Sequence, residues 1–212
     1  MLTPIEARVL GCLMEKQATT PDVYPLTLKA LTAACNQTSS RDPIISVTER
    51  EVETTVLALK ALGYARVVHP GAGERATKYR HVADEVLDLD GARRAVLGLL
   101  LLRGPQTVAE LRARSERMYP FGSTAEVDGV LDSMERHDPP LVQLLERQPG
   151  EREPRWVQLV AEEAVPLATR AAAAGSAGSV SSSSGRSDRV AELEARLSAL
   201  EDRVAQLETL LD

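Results

Sequence analysis

Residues 7–17 read ARVLGCLMEKQ and residues 94–103 read RAVLGLLLLR. Val9-Leu10-Gly11 in the first stretch returns as Val96-Leu97-Gly98 in the second, 87 residues later, each inside an apolar run with helical spacing. Two more correspondences follow in the same order. Glu51-Val52-Glu53, leading to Val56 and Leu59, returns as Glu126-Val127-Asp128, leading to Leu131 and Met134, at an offset of 75. Gly73-Glu74-Arg75 with Lys78-Tyr79 returns as Gly150-Glu151-Arg152 with Arg155-Trp156, at an offset of 77. Three matches in one order at similar offsets indicate an internal duplication.

Each copy reads as three helices and a hairpin. In the first, Thr3-Pro4-Ile5-Glu6 is a capping box with proline at the first helical position, opening a helix to about Gln17. Helices follow from about Pro25 to Asn36 and from Thr48 to near Gly63. Strands at about Ala65–His69 and Thr77–Val82 flank a Gly-rich turn at Gly71–Glu74. In the second, helices span about Asp90–Arg103, Thr107–Met118 and Ser123–His137, with strands at 141–147 and 154–160. This is the element order of a winged helix. The predicted fold class is α+β, mainly helical, with two tandem winged-helix modules at 1–85 and 86–165 and a C-terminal coiled-coil helix. The first copy carries about 12 extra residues, the loop Asn36–Val47, because the offset falls from 87 to 75. Long loops in compact modules are often functional, which makes Asn36, Gln37 and Arg41 candidates; the alternative is a structural role, with Asn36 capping a helix and Arg41 bonded to carbonyl groups.

Residues 171–187, AAAAGSAGSVSSSSGRS, have little to bury, so 166–187 is expected to be a flexible linker. From 188 to 212 the pattern is heptad. Val190, Leu197, Val204 and Leu211 occupy one seam position, with Leu193, Leu200 and Leu207 at the other. Arg189, Arg196 and Arg203 at g would face Glu194, Glu201 and Glu208 at e′ of a parallel partner, which predicts a parallel homodimer; the alternative is an amphipathic helix packed on the chain's own globular part.

The 212 residues carry a net charge of −6, unevenly distributed. Residues 1–83 have ten basic and eight acidic side chains; residues 84–163 have ten and 16. A nucleic-acid contact is therefore expected in the first module or on a local patch. No signal peptide or run of roughly 18–20 apolar residues is visible, so a cytoplasmic protein without membrane contact is expected. Cys12 and Cys35 sit in apolar helical patterns and are expected to be buried thiols. His69, His81 and His137 have no ligand spacing. No nucleophile motif, phosphate loop, dinucleotide fingerprint or metal cluster is present, so neither enzyme activity nor a cofactor is expected.

Residues 7–17, with Thr20-Pro21, Tyr24-Pro25-Leu26, Cys35-Asn36-Gln37 and Arg41-Asp42-Pro43, resemble the opening of the YceH-like family of bacterial proteins. Leu101-Leu102-Arg103-Gly104-Pro105-Gln106-Thr107, Glu110-Leu111-Arg112 and Arg117-Met118-Tyr119 are similar to its second half. The resemblance covers about residues 2–160. It implies a tandem winged-helix fold and, the family's function being unknown, no catalytic residues.

Two functions fit. One is a transcription-regulator-like protein on double-stranded DNA, its contacts made by the wings: Arg66, Arg75, Lys78 and Arg80 in the first, Arg152 and Arg155 in the second. The other is a protein-binding adaptor without DNA. The third helices favour the adaptor, because residues 48–62 carry a net −1 and residues 123–137 a net −3, and acidic helices repel phosphate.

Overall fold

The computed structural model describes residues 1–70, 76–147 and 149–162. The expected linker and heptad helix, with the seam Val190 to Leu211, lie outside the described residues, as do Arg75 and the turn before it.

Thr3 opens α1 (Pro4–Thr19): its hydroxyl accepts from the Glu6 amide, and the Glu6 carboxylate accepts from the Thr3 amide at 2.8 Å. Chain reversal leads to a short strand, β1 (Leu26–Thr27), and then α2 (Leu28–Cys35). The second helix thus begins later than its sequence pattern predicts. Leu26 and Thr27 instead pair with Tyr79 and Lys78, and the Thr27 hydroxyl caps the helix by accepting from the Ala30 amide. A second capping box, Thr48 with Glu51, opens α3 (Glu49–Ala61). Gly63, at φ +85°, turns the chain out of it, a conformation that glycine adopts without penalty. Strands β2 (Ala65–Val68) and β3 (Lys78–His81) form an antiparallel pair, giving a three-stranded sheet in the order β1-β3-β2.

A single turn, α4 (Ala83–Val86), leads into the second copy. Asp90 caps α5 (Gly91–Arg103) and Thr107 with Glu110 boxes α6 (Val108–Ser115). The latter stops three residues short of the expected Met118, because the Met118 and Tyr119 amides both donate to the Ser115 carbonyl at 2.7 Å. Then come α7 (Thr124–Glu135) and a hairpin of β4 (Val142–Leu144) and β5 (Trp156–Gln158), both shorter than predicted. Gln106 exchanges two backbone hydrogen bonds with Trp156, at 3.0 and 2.8 Å. Leu26 stands opposite Tyr79 in the same way in the first copy. The described residues are therefore mixed α+β, and the order of three helices and a hairpin occurs twice.

The copies share one hydrophobic core. The first helices, α1 and α5, pack on each other more extensively than any other pair of elements. The repeated glycines make this approach possible. A Cβ on Gly11 would stand 2.9 Å from Leu102 Cγ and 3.1 Å from Leu101 Cβ in α5; one on Gly98 would meet Met118 and Met14. Each repeat's Val-Leu-Gly thus seats the other's first helix. The ends are tied as well. The Leu2 amide donates to the Val160 carbonyl at 2.8 Å, and the Glu162 amide donates to the Leu2 carbonyl at 2.9 Å. Residues Met1–Pro166 form one compact unit.

Candidate nucleic-acid interface

Alternation along the β2–β3 ladder puts two chemistries on its two faces. Ala65, Val67, Tyr79 and His81 face the core. Arg66 stands opposite Arg80, and Val68 opposite Lys78, on the other face. Two like charges directly opposite each other destabilise a hairpin. Arg66 is drawn to Glu85 of α4 at 3.0 Å, but both side chains are more than half exposed, so the pair contributes about 0–1 kcal/mol. A strip of three cations on one face of a hairpin is suited to phosphate contact.

The adjacent helix α3 keeps the acidic balance that its composition implies. Glu51 folds back on the cap, accepting from the Thr48 amide and hydroxyl at 2.7 Å each, which holds its carboxyl below the ordinary range. Its exposed residues include Glu49, Arg50, Glu51, Glu53, Leu57 and Lys60. In the second copy α7 remains acidic: Asp128, Asp132 and Glu135 are exposed, with Asp132 held by Arg136 at 2.9 Å.

The second hairpin is a poorer candidate than the first. Arg152 is exposed. Arg155, expected there as a phosphate contact, is engaged inside the fold: its guanidinium donates to Glu110 at 2.8 Å, Glu151 at 3.1 Å and the Pro105 carbonyl at 3.1 Å.

The inserted loop, 36–47, is stapled at both ends. Asn36 donates to the Val47 carbonyl and accepts from the Val47 amide, both at 2.8 Å. The Arg41 side chain is fully buried. It donates to the Ala34 and Ser40 carbonyls, to Gln37 Oε1 at 2.7 Å, and to both Glu15 oxygens at 3.0 and 2.7 Å. Burial raises the Glu15 pKa, but the Arg41 hydrogen bonds and charge outweigh it, leaving the carboxyl below its usual range. These bonds favour the structural reading of Asn36, Gln37 and Arg41. Cys12 and Cys35 are free and buried, as their apolar pattern predicts.

Sequence reading did not single out Lys16, Arg103, Arg114 and Arg117, which line one pocket. They come from the ends of α1 and α5, from α6 and from the turn after it, so no local spacing unites them. Among the described residues no group of three or more His, Cys, Asp or Glu is placed to hold a metal ion. No described helix is long and apolar enough to cross a membrane.

A family model described as "Protein of unknown function, DUF480" matches residues 2–151. The chain belongs to this family. Members at high similarity are bacterial and named "UPF0502 protein". That from Chromobacterium violaceum is 46% identical over 211 residues, covering 100% of this chain and 92% of the relative. Those from Citrifermentans bemidjiense and Mesorhizobium japonicum are 43% and 45% identical, covering 97% and 100% of this chain and 93% and 95% of theirs. The DUF480 family is of unknown function, as the resemblance noted from the sequence implied.

Proposed function

We propose that this DUF480 protein is a non-enzymatic, tandem winged-helix protein that binds double-stranded DNA through the first hairpin. The observation that carries this reading is the outer face of β2–β3, where Arg66, Lys78 and Arg80 stand in register beside α3. In a winged helix the third helix enters the major groove and the wing contacts the backbone; α3 and the β2–β3 hairpin take those places. The heptad seam Val190–Leu211 would pair two copies and raise their joint affinity through effective concentration.

The test is a salt titration of binding to mixed-sequence duplex DNA by fluorescence anisotropy. Arg66→Ala with Arg80→Ala is expected to weaken binding by a similar factor on every sequence. The slope of log K against log salt is expected to flatten by about 0.9 for each phosphate contact removed. Unchanged affinity and slope would refute the assignment. A second reading, a protein-binding adaptor, is favoured by Leu57, 46% exposed on the outer face of α3, together with the acidic α7. That reading predicts no salt-dependent duplex binding by the intact chain.

A further inference from the structure

A second, more enclosed cationic feature lies where the two repeats meet. Lys16, Ser39, Ser40, Arg103, Arg114 and Arg117 line a pocket of about 140 Å³. That is comparable to a cavity that takes a six-carbon ring, and large enough for a phosphoryl group with a few attached atoms. The acidic lining residue, Glu15, is held in a bidentate pair by Arg41 and touched by Lys16 at 3.0 Å. Arg114 is fixed by Gln106 at 2.8 Å and by Glu110 at 3.1 Å, and Glu110 is shared with Arg155.

Arg103 differs from all of these. Its Nε is buried without a hydrogen-bond partner, and it enters no ion pair with the described residues; nor does Arg117. Burial and the neighbouring Arg114 and Arg41 disfavour its charged form, against weaker attraction from Glu15 and Asp42. A buried guanidinium is normally compensated by a carboxylate or a full set of acceptors. Here the buried Arg103 Nε lacks an acceptor, beside the exposed Arg117, two serines and an ammonium, all of them able to donate. That donor set matches the geometry of a tetrahedral oxyanion, and arginine forks suit its paired oxygens.

We propose that this pocket binds the phosphoryl group of a small phosphomonoester, with Arg103 and Arg117 as its main ligands. The site is independent of the DNA-binding reading. Because its walls come from α1 and the inserted loop of one repeat and from α5 and α6 of the other, an occupant would bridge the repeats.

The test uses the full chain at low ionic strength, titrated calorimetrically with inorganic phosphate and with glycerol 3-phosphate, and melted with and without each. Saturable one-to-one binding is expected, at least tenfold weaker in Arg103→Gln with Arg117→Gln and unaltered in Arg66→Ala with Arg80→Ala. In the absence of phosphate, Arg103→Gln is expected to melt no lower than the wild type, because the side chain it removes has no partner. In its presence the variant should lose most of the ligand-induced rise. Absence of binding, or equal binding by the wild type and the double Gln variant, would overturn the proposal. So would a duplex that alone engages Arg103 and Arg117, since the site would then be a contact for a nucleic-acid backbone. A lower melting point for Arg103→Gln without ligand would assign the residue to the fold instead.

Discussion

Three glycines in helix interiors, Gly11, Gly98 and Gly129, provide a quantitative test of the packing between repeats. Replacing glycine by alanine inside a helix gains about 0.5–1 kcal/mol from backbone entropy wherever the methyl fits. At Gly129 in α7 nothing lies within 4 Å of the added Cβ. Gly129→Ala should therefore stabilise by the full gain, raising Tm by about 2–4 °C per kcal/mol in a chain of this size. At Gly98 the nearest atom is Met118 Cε at 3.1 Å, the far end of a flexible side chain, so part of the gain should survive. At Gly11 the methyl meets Leu102 Cγ at 2.9 Å and Leu101 Cβ at 3.1 Å. Those atoms sit close to the α5 backbone and cannot swing aside without shifting the helix. Overpacking of this kind costs about 1–3 kcal/mol, so Gly11→Ala should be destabilised by about 0–2 kcal/mol net. The expected order of stability is Gly129→Ala, Gly98→Ala, Gly11→Ala, read from urea unfolding midpoints at constant slope. If Gly11→Ala proved as stabilising as Gly129→Ala, α1 and α5 would not be in close contact and the shared core would be wrong.

Two further outcomes follow from buried charge. His81 is buried against Gln17 and Tyr24, and burial, outweighing the pull of Asp84, depresses its pKa from 6.5 to about 4. The unfolded chain then binds the extra proton, so stability is complete above about pH 6.5 and falls as pH drops towards 4, by roughly 3 kcal/mol in all; His81→Gln should flatten that part of a stability–pH curve, and an unchanged curve would refute the assignment. Arg41→Ala removes one half of a buried pair and should cost about 3–5 kcal/mol in chemical denaturation, whereas a loss below about 1 kcal/mol would return the loop to the list of functional candidates.

The duplication was legible because burial enforces it. Val52, Val56 and Leu59 of α3, and Val127, Leu131 and Met134 of α7, are all essentially inaccessible to solvent, and a helix face that must be buried leaves its period in the chain. The capping box at Thr3 was legible for a similar reason, since the motif is complete within four residues. The start of α2 was not. Tyr24–Thr27 has helical apolar spacing, and its capture by β3 depends on a strand some 50 residues away. The partners of Arg155 were not legible on the same ground: it lies beside β5 as its sequence neighbours imply, while Pro105 and Glu110, which it bonds, come from a different segment.

The two cationic features differ in a way that bears on their use. Arg66 and Arg80 belong to one hairpin, so their charges repel each other at a fixed spacing whatever the repeats do. The pocket residues belong to both repeats and converge only while α1 and α5 remain packed. An anion on the hairpin therefore reads a local surface, but an anion in the pocket is linked to the packing of the repeats. By linkage it stabilises that packing to the extent that it binds the assembled form more tightly than the opened one. The asymmetry has a structural origin in the inserted loop, which supplies Ser39 and Ser40 and is pinned to α5 by the Asp42 amide donating to the Leu102 carbonyl at 2.9 Å. The second repeat has no counterpart of that loop, so the duplicated chain holds this pocket once, at the junction where the two copies differ.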